Sequence, residues 1–185
     1  MPESWPSPDS AHTVVFDFDG VFTDNKVWVD GTGREFARCD RSDGLAMDFV
    51  RAFKRRGQLN ADLEVLSKET DDLVAARARK LGLACHHGVL NKESFLQGLL
   101  SDRHPGLLDP FEGLVYLGND LNDLAVMTRA GFAVAPADAH PRIREVAQVV
   151  LPERGGDGFV RAFIEQWLGM DTLTAEELRD LVSDS

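Results

Sequence analysis

The sequence predicts an α/β domain with a mainly parallel sheet. Short β-rich apolar runs alternate with stretches of helical periodicity from Thr13 onward. The 185 residues suit one domain, and 43% hydrophobic with 28% charged residues is a globular balance. The first apolar run also ends in carboxylates, where open α/β sheets place their ligands.

Residues 1–11 carry Pro2, Pro6 and Pro8 but neither a basic start nor an apolar stretch. They are expected to form a flexible leader rather than a secretory signal. The body of the domain is expected over 12–170, with strands at 13–17, 63–67, 113–118, 132–135 and 148–151. Helices are expected over 43–56, 71–81, 92–102, 122–130, 142–147 and 158–168. One segment breaks the alternation: 26–38, with a Gly31-Thr-Gly33 turn, reads as a β-hairpin. A two-stranded ribbon is marginal alone, so the hairpin is expected to pack on the domain or on a neighbouring subunit, burying Trp28. The acidic tail, 171–185, contains Thr174 and Glu177 at the spacing of a helix capping box.

Twenty Lys and Arg against 31 Asp and Glu give a net charge of −11, which argues against nucleic acid and anionic membranes as partners. No apolar run approaches membrane-spanning length. Cys39 and Cys85 are far apart and form no metal-type pair, which fits reduced thiols and a cytoplasmic location. Neighbours in Cys85-His86-His87 point to opposite faces of a strand, so structural or solvent-facing roles are expected rather than a metal site.

The densest chemical signal is Asp17-Phe-Asp-Gly-Val-Phe-Thr-Asp24, directly after the first strand. Asp17 and Asp19 would point into the crevice at a strand end, and Gly20 would let a backbone N–H approach an anion. Such a cluster of acids calls for a hard, oxygen-seeking cation, best matched by Mg²⁺. Gly118-Asn-Asp-Leu-Asn-Asp123 brings Asn119, Asp120 and Asp123 to a second strand end, although Asp120 or Asn122 could also start the following helix. Ser67 ends another strand, where its hydroxyl can bond a phosphoryl oxygen, and Lys92 opens a helix, where it can supply a fixed positive charge.

The order Asp17-x-Asp19, Ser67, Lys92, Gly118–Asp123 resembles the four motifs of the haloacid dehalogenase superfamily of phosphohydrolases. Asp-Gly-Val-Phe-Thr-Asp followed by a hairpin is similar to its capless 3-deoxy-D-manno-octulosonate 8-phosphate phosphatase family, as is Arg154-Gly-Gly-Asp-Gly158. The stretch 67–82 resembles the sialic-acid-type branch, which acts on nonulosonate 9-phosphates or accompanies acylneuraminate cytidylyltransferases. The resemblance implies a Rossmann-like three-layer sandwich, a homotetramer in which the hairpin helps cover a neighbour's site, and a sugar-acid phosphate as substrate.

It also implies roles. Asp17 would be the nucleophile, Asp19 the acid and base, and Ser67 and Lys92 the stabilisers of the phosphoryl charge. Asp17, the Asp19 carbonyl and Asn119 would hold Mg²⁺, with Asp123 supporting its water shell. Gly20 would approach the substrate through its backbone, Glu69 would accept hydrogen bonds from sugar hydroxyls, and Arg77 and Lys80 would pair with a carboxylate. Asn119 departs from the Asp of most relatives and Ser67-Lys-Glu69 from the Thr-Gly-Arg of the octulosonate type. Octulosonate 8-phosphate is the alternative substrate. The rival functions are a receiver domain, which the early Asp17-x-Asp19 pair disfavours, and a non-catalytic oligomeric member of the fold, which Asn119 alone supports.

Overall fold

A computed structural model describes residues 5–183. The strands β1 (Thr13–Phe16), β4 (Asp62–Leu66), β5 (Ala84–His86), β6 (Leu114–Leu117), β7 (Phe132–Ala135) and β8 (Val149–Val150) form one sheet in the order β5-β4-β1-β6-β7-β8. Every neighbouring pair in it is parallel. β5, a three-residue edge strand, is the one member that periodicity did not mark out.

Alternation of side chains along the strands divides the interior into two layers. Val14, Phe16, Val65 and Leu117 face one side, packed against α1 (Ser42–Arg55), α2 (Asp72–Leu81), α6 (Phe159–Trp167) and α7 (Ala175–Ser183). Val15, Leu66, Tyr116 and Ala133 face the other, against α3 (Lys92–Arg103), α4 (Leu124–Arg129) and α5 (Pro141–Val146). The result is a three-layer α/β sandwich, with the mainly parallel sheet that the alternating pattern predicts and the layering that the family resemblance implies.

The chain moves from β1 outward to β4 and β5, then returns to the opposite side of β1 with β6. Strand order therefore reverses at β1, and the loops leaving β1 and β6 diverge there to open a crevice at the strands' carboxyl ends. The register sets Phe16 level with both Val65 and Leu117, so the residues that follow all three strands emerge side by side.

A second, two-stranded sheet pairs β2 (Thr23–Val29) with β3 (Glu35–Cys39), the expected hairpin with an earlier start. The chain's own domain does not bury Trp28, which corrects that alternative of the expectation: it is 61% exposed, and its cross-strand partner Phe36 is 48% exposed. Trp28 and Phe36 share one face of the ribbon, while Val27 and Ala37 on the other face turn toward Leu73 and Val74 of α2.

Both ends of the described chain are docked. The free leader expected at the start is corrected for 5–11: Trp5 packs edge-on against Phe163 and beside Phe132, and the Trp167 Nε1–H donates to the Pro6 carbonyl over 3.1 Å. Residues 1–4 of that expected leader lie outside the described residues. In the tail, the Thr174–Glu177 capping box forms, with Thr174 N donating to Glu177 Oε2 over 2.7 Å, and Leu181 of α7 is fully buried. Asp184 and Ser185 lie outside the described residues.

Among the described residues no helix is long and apolar enough to cross a membrane. His86 has a structural part, its Nε2 sitting 2.7 Å from Oε2 of the buried Glu64, whose other oxygen accepts from Arg103.

Candidate active site

Asp17 follows β1 and is almost fully buried, its backbone N–H donating to the Leu117 carbonyl over 2.9 Å. Two donors converge on Asp17 Oδ1: the Phe18 N–H and the Lys92 ammonium, each at 2.7 Å. Lys92 enters from the first turn of α3, and the same Nζ lies 2.7 Å from Asp123 Oδ1. The Tyr116 hydroxyl also donates to Asp123 Oδ1 over 2.7 Å, and the N–H groups of Asn119 and Asp120 donate to Oδ2.

One buried ammonium thus serves two buried carboxylates. Burial raises the Asp17 pKa well above its ordinary value, Asp123 adds to that, and Lys92 opposes both. Burial alone would lower the Lys92 pKa, but the two carboxylates outweigh it and hold the ammonium above its usual value. Burial and the nearby carboxylates push Tyr116 up as well, which keeps its hydroxyl a donor.

Asp19 projects from the same loop and is half-buried. Burial raises its pKa, the Thr23 hydroxyl bond at 3.3 Å opposes this, and the charges of Glu69 and Asp71 add to the rise. Gly20 stands at φ +79°, and a Cβ there would meet Asn119 Nδ2 at 1.8 Å. Only glycine fits under the Asn119 side chain. The Asn119 Oδ1 is buried and has no hydrogen-bond partner. Such an orphaned acceptor is costly, and here it faces the loop that carries the two Asp residues.

Asp120 does cap the turn that follows β6, accepting from Leu121 N over 2.7 Å, so the capping and site readings of that motif hold together. The 154–158 segment closes against the first-motif loop. Gly156 N donates to the Val21 carbonyl over 3.1 Å, and a Cβ on Gly155 would lie 2.0 Å from the Gly20 carbonyl oxygen. Arg38 of the hairpin bridges Asp157 at 2.8 Å and Asp24 at 3.4 Å, tying three segments around the loop.

These residues border a cavity of about 280 Å³ lined by Asp17, Asp19, Ser67, Glu69 and Asn119, among others. Ser67 is buried, its Oγ accepting from the Glu69 N–H over 3.1 Å. Lys92 stands beneath the cavity through its bond to Asp17, and Asp123 through its bond to Lys92. The structure therefore brings together Asp17, Asp19, Gly20, Ser67, Glu69, Lys92, Asn119 and Asp123.

It does not bring Arg77 and Lys80 there: neither lines the cavity. Arg77 instead donates to the Asp40 carbonyl at 2.5 Å and approaches Asp43 Oδ2 at 3.4 Å, while Lys80 is exposed near the far end of α2. The carboxylate-binding pair expected from them does not form in this chain's own cavity.

Four contributors escaped sequence reasoning. Thr23 and Lys68 lay inside motifs already singled out, Thr23 bonding Asp19 and Lys68 lining the cavity. Tyr116 had a faint signal, since the chain's sole tyrosine, in an apolar strand, needs a partner for its hydroxyl. Asn25 lines the cavity with φ 59°, and nothing in the sequence marked it.

No protein-family model matches the chain. The 3-deoxy-D-manno-octulosonate 8-phosphate phosphatase KdsC of Escherichia coli K12 is 31% identical over 156 residues, spanning 83% of this chain and 77% of that protein. The chain belongs to this phosphatase family of the haloacid dehalogenase superfamily. Among solved structures, a HAD family hydrolase from Streptomyces avermitilis MA-4680 is 36% identical, covers 92% of this chain and 99% of that one, and superposes with a TM-score of 0.80. The Moraxella catarrhalis 3-deoxy-D-manno-octulosonate 8-phosphate phosphatase, solved with magnesium, phosphate and the sugar acid, shares the fold at 24% identity and a TM-score of 0.76, covering 88% of each chain.

In this member of the family the Arg77 partner Asp43 is 1% exposed, and burial pushes its carboxyl up to about 7, against the pull of Arg77 and with a push from Asp40. A raised carboxyl favours the folded state at low pH, and that advantage is lost as pH climbs from the unfolded value of 3.8 toward 7. Asp43→Asn removes this titration. Its stability in urea should therefore gain about 2 kcal/mol on the parent protein between pH 5 and 7, at about 1.4 kcal/mol per pH unit and less as the folded-state carboxyl begins to ionise near 7, and then level off. A difference independent of pH would contradict the burial argument.

Proposed function

We propose that this chain is a Mg²⁺-dependent phosphatase that hydrolyses a sugar-acid phosphate through a phosphoaspartate on Asp17. The observation that carries the reading is the juxtaposition, where strand order reverses, of Asp17 and Asp19 with the unpartnered Asn119 oxygen in one cavity. The donor set suits a hard cation. Asp17, the Asp19 backbone carbonyl and Asn119 Oδ1 would hold it, with Asp123 behind them, and all these donors are oxygens. Lys92 leaves the buried Asp17–Asp123 pair with one surplus negative charge, which a cation offsets. When bound, the ion supplies charge neutralisation and polarises a phosphoryl oxygen.

The chain's own groups supply the rest. Both donors to Asp17 fall on Oδ1, which leaves Oδ2 to attack phosphorus. The raised pKa of Asp19 suits it to protonate the departing sugar oxygen and then to take a proton from the hydrolytic water. The Ser67 hydroxyl and the Lys92 ammonium stabilise charge on the phosphoryl oxygens as it transfers.

Octulosonate 8-phosphate is the first substrate to consider, as the substrate named for the Escherichia coli relative. The nonulosonate 9-phosphate reading rests on the stretch 67–82; of the three residues assigned to it, Glu69 alone reaches the cavity. The exposed Trp28 and Phe36 face supports assembly of the hairpin against another copy, in the tetramer that the family resemblance implies.

Phosphate release from octulosonate 8-phosphate, a nonulosonate 9-phosphate and simple sugar phosphates tests the proposal. Turnover on a sugar-acid phosphate should depend on Mg²⁺, and Asp17→Asn should lower kcat about a thousandfold or more; unaffected turnover in that variant would refute the assigned nucleophile. Asn119→Asp adds a negative charge to the ligand set and should tighten Mg²⁺ binding about tenfold, read by calorimetry without substrate. Unchanged affinity would remove Asn119 from the metal site.

A further inference from the structure

We infer that Tyr116 is a positioning residue for the proposed reaction: its buried hydroxyl shares Asp123 with Lys92 and so keeps the Lys92 ammonium available to Asp17 and the transferring phosphoryl group. This rests on the phosphatase reading above. Tyr116 lies on β6, a strand buried along its whole length, and its ring sits in the apolar layer of Val15, Leu66 and Ala133. A phenylalanine would fill such a place equally well, and the chain uses eleven of them against this one tyrosine. Packing therefore does not account for the hydroxyl, which is costly to bury unless it is bonded. Its partner is Asp123 Oδ1, at 2.7 Å.

Four donors converge on Asp123. The Asn119 and Asp120 N–H groups reach Oδ2 over 3.0 and 3.3 Å, both from the loop that Asp123 itself closes. Lys92 Nζ and the Tyr116 hydroxyl meet at Oδ1. Among the described residues, Tyr116 is the one donor to Asp123 that the sheet itself carries.

The same Nζ lies 2.7 Å from Asp17 Oδ1. An ammonium has three hydrogens to donate. Two are directed at the carboxylates, which leaves the third for a phosphoryl oxygen. A carboxylate oxygen that accepts from two donors divides its charge between them. Without the hydroxyl, Asp123 Oδ1 has Lys92 as its sole donor and draws the ammonium toward itself, an attraction strengthened by burial. Lys92 then moves off Asp17 and off the path of the phosphoryl group, where small displacements are costly to rate.

The test measures kcat and KM at saturating Mg²⁺ for octulosonate 8-phosphate and for p-nitrophenyl phosphate, on each substrate that the parent turns over. In Tyr116→Phe, kcat should fall about tenfold while KM stays within about threefold, because the lost contact acts on the transferring group rather than on binding. Mg²⁺ affinity, read by calorimetry without substrate, should hold or tighten, since Asp17 gives up part of its positive partner. Replacing tyrosine throughout by meta-fluorotyrosine alters position 116 alone, because the chain has no other tyrosine. That protein keeps the hydroxyl, and its kcat should stay within about threefold of the parent's. A Tyr116→Phe kcat within threefold of the parent's overturns the assignment. So does a fall in kcat accompanied by weakened Mg²⁺ binding and a raised KM, which would report a loosened site rather than a displaced ammonium. A parent protein that releases phosphate from neither substrate refutes the phosphatase reading, and the assignment falls with it.

Discussion

Two buried carboxylates share one ammonium at the heart of this molecule, and much of its architecture serves that arrangement. Asp17 and Asp123 come from different strand ends, and Lys92 comes from a helix on one side of the sheet. Charges removed from water are tolerated only when paired and fully hydrogen-bonded. Here both oxygens of Asp123 are met, by the Tyr116 hydroxyl and the Asn119 and Asp120 N–H groups, while Asp17 Oδ1 takes the Phe18 N–H and Asp17 Oδ2 is left open toward the cavity. Counted as two carboxylates and one ammonium, the set carries one surplus negative charge, which suits it to a further cation. Stability and chemistry draw on the same interaction.

Close approach of backbones keeps that cluster in place. Gly20 must lack a side chain because Asn119 lies over it, Gly155 because the Gly20 carbonyl does, and Gly118 because Asp123 folds back at 2.8 Å from its notional Cβ. These contacts weld the loops after β1 and β6 to the segment before α6. Arg38 adds the hairpin to the same knot through Asp24 and Asp157. A loop held from three directions can keep Asp17 and Asp19 aimed at one point without a substrate present, which is the preorganisation that phosphoryl transfer demands.

The sheet and most helices were legible because they rest on local periodicity: strands such as β1 and β6 are fully buried runs, and α6 places Phe159, Phe163 and Trp167 on one face. The site was legible as motifs because its chemistry concentrates at strand ends. What escaped depends on partners distant in sequence. Trp5 looked free because Phe163, which covers it, lies far along the chain. Arg77 looked available because its tie to Asp40 and Asp43 crosses between two helical segments. Trp28 looked buried because β-patterning reports an apolar face but not whether one chain alone covers it. Lys68 was overlooked between two residues that were noticed, since an exposed lysine has no signature until a cavity forms beside it.

The shared ammonium is tested most directly by a double-mutant cycle between Lys92 and Asp123, read by urea unfolding. Lys92→Met alone should destabilise the fold by about 3–5 kcal/mol, because it strands buried carboxylates without a partner. Adding Asp123→Asn removes one of those charges and should restore part of the loss, leaving a coupling of about 1 kcal/mol or more. Two costs that simply add, within about 0.5 kcal/mol, would show that Lys92 and Asp123 do not depend on each other and would contradict the account.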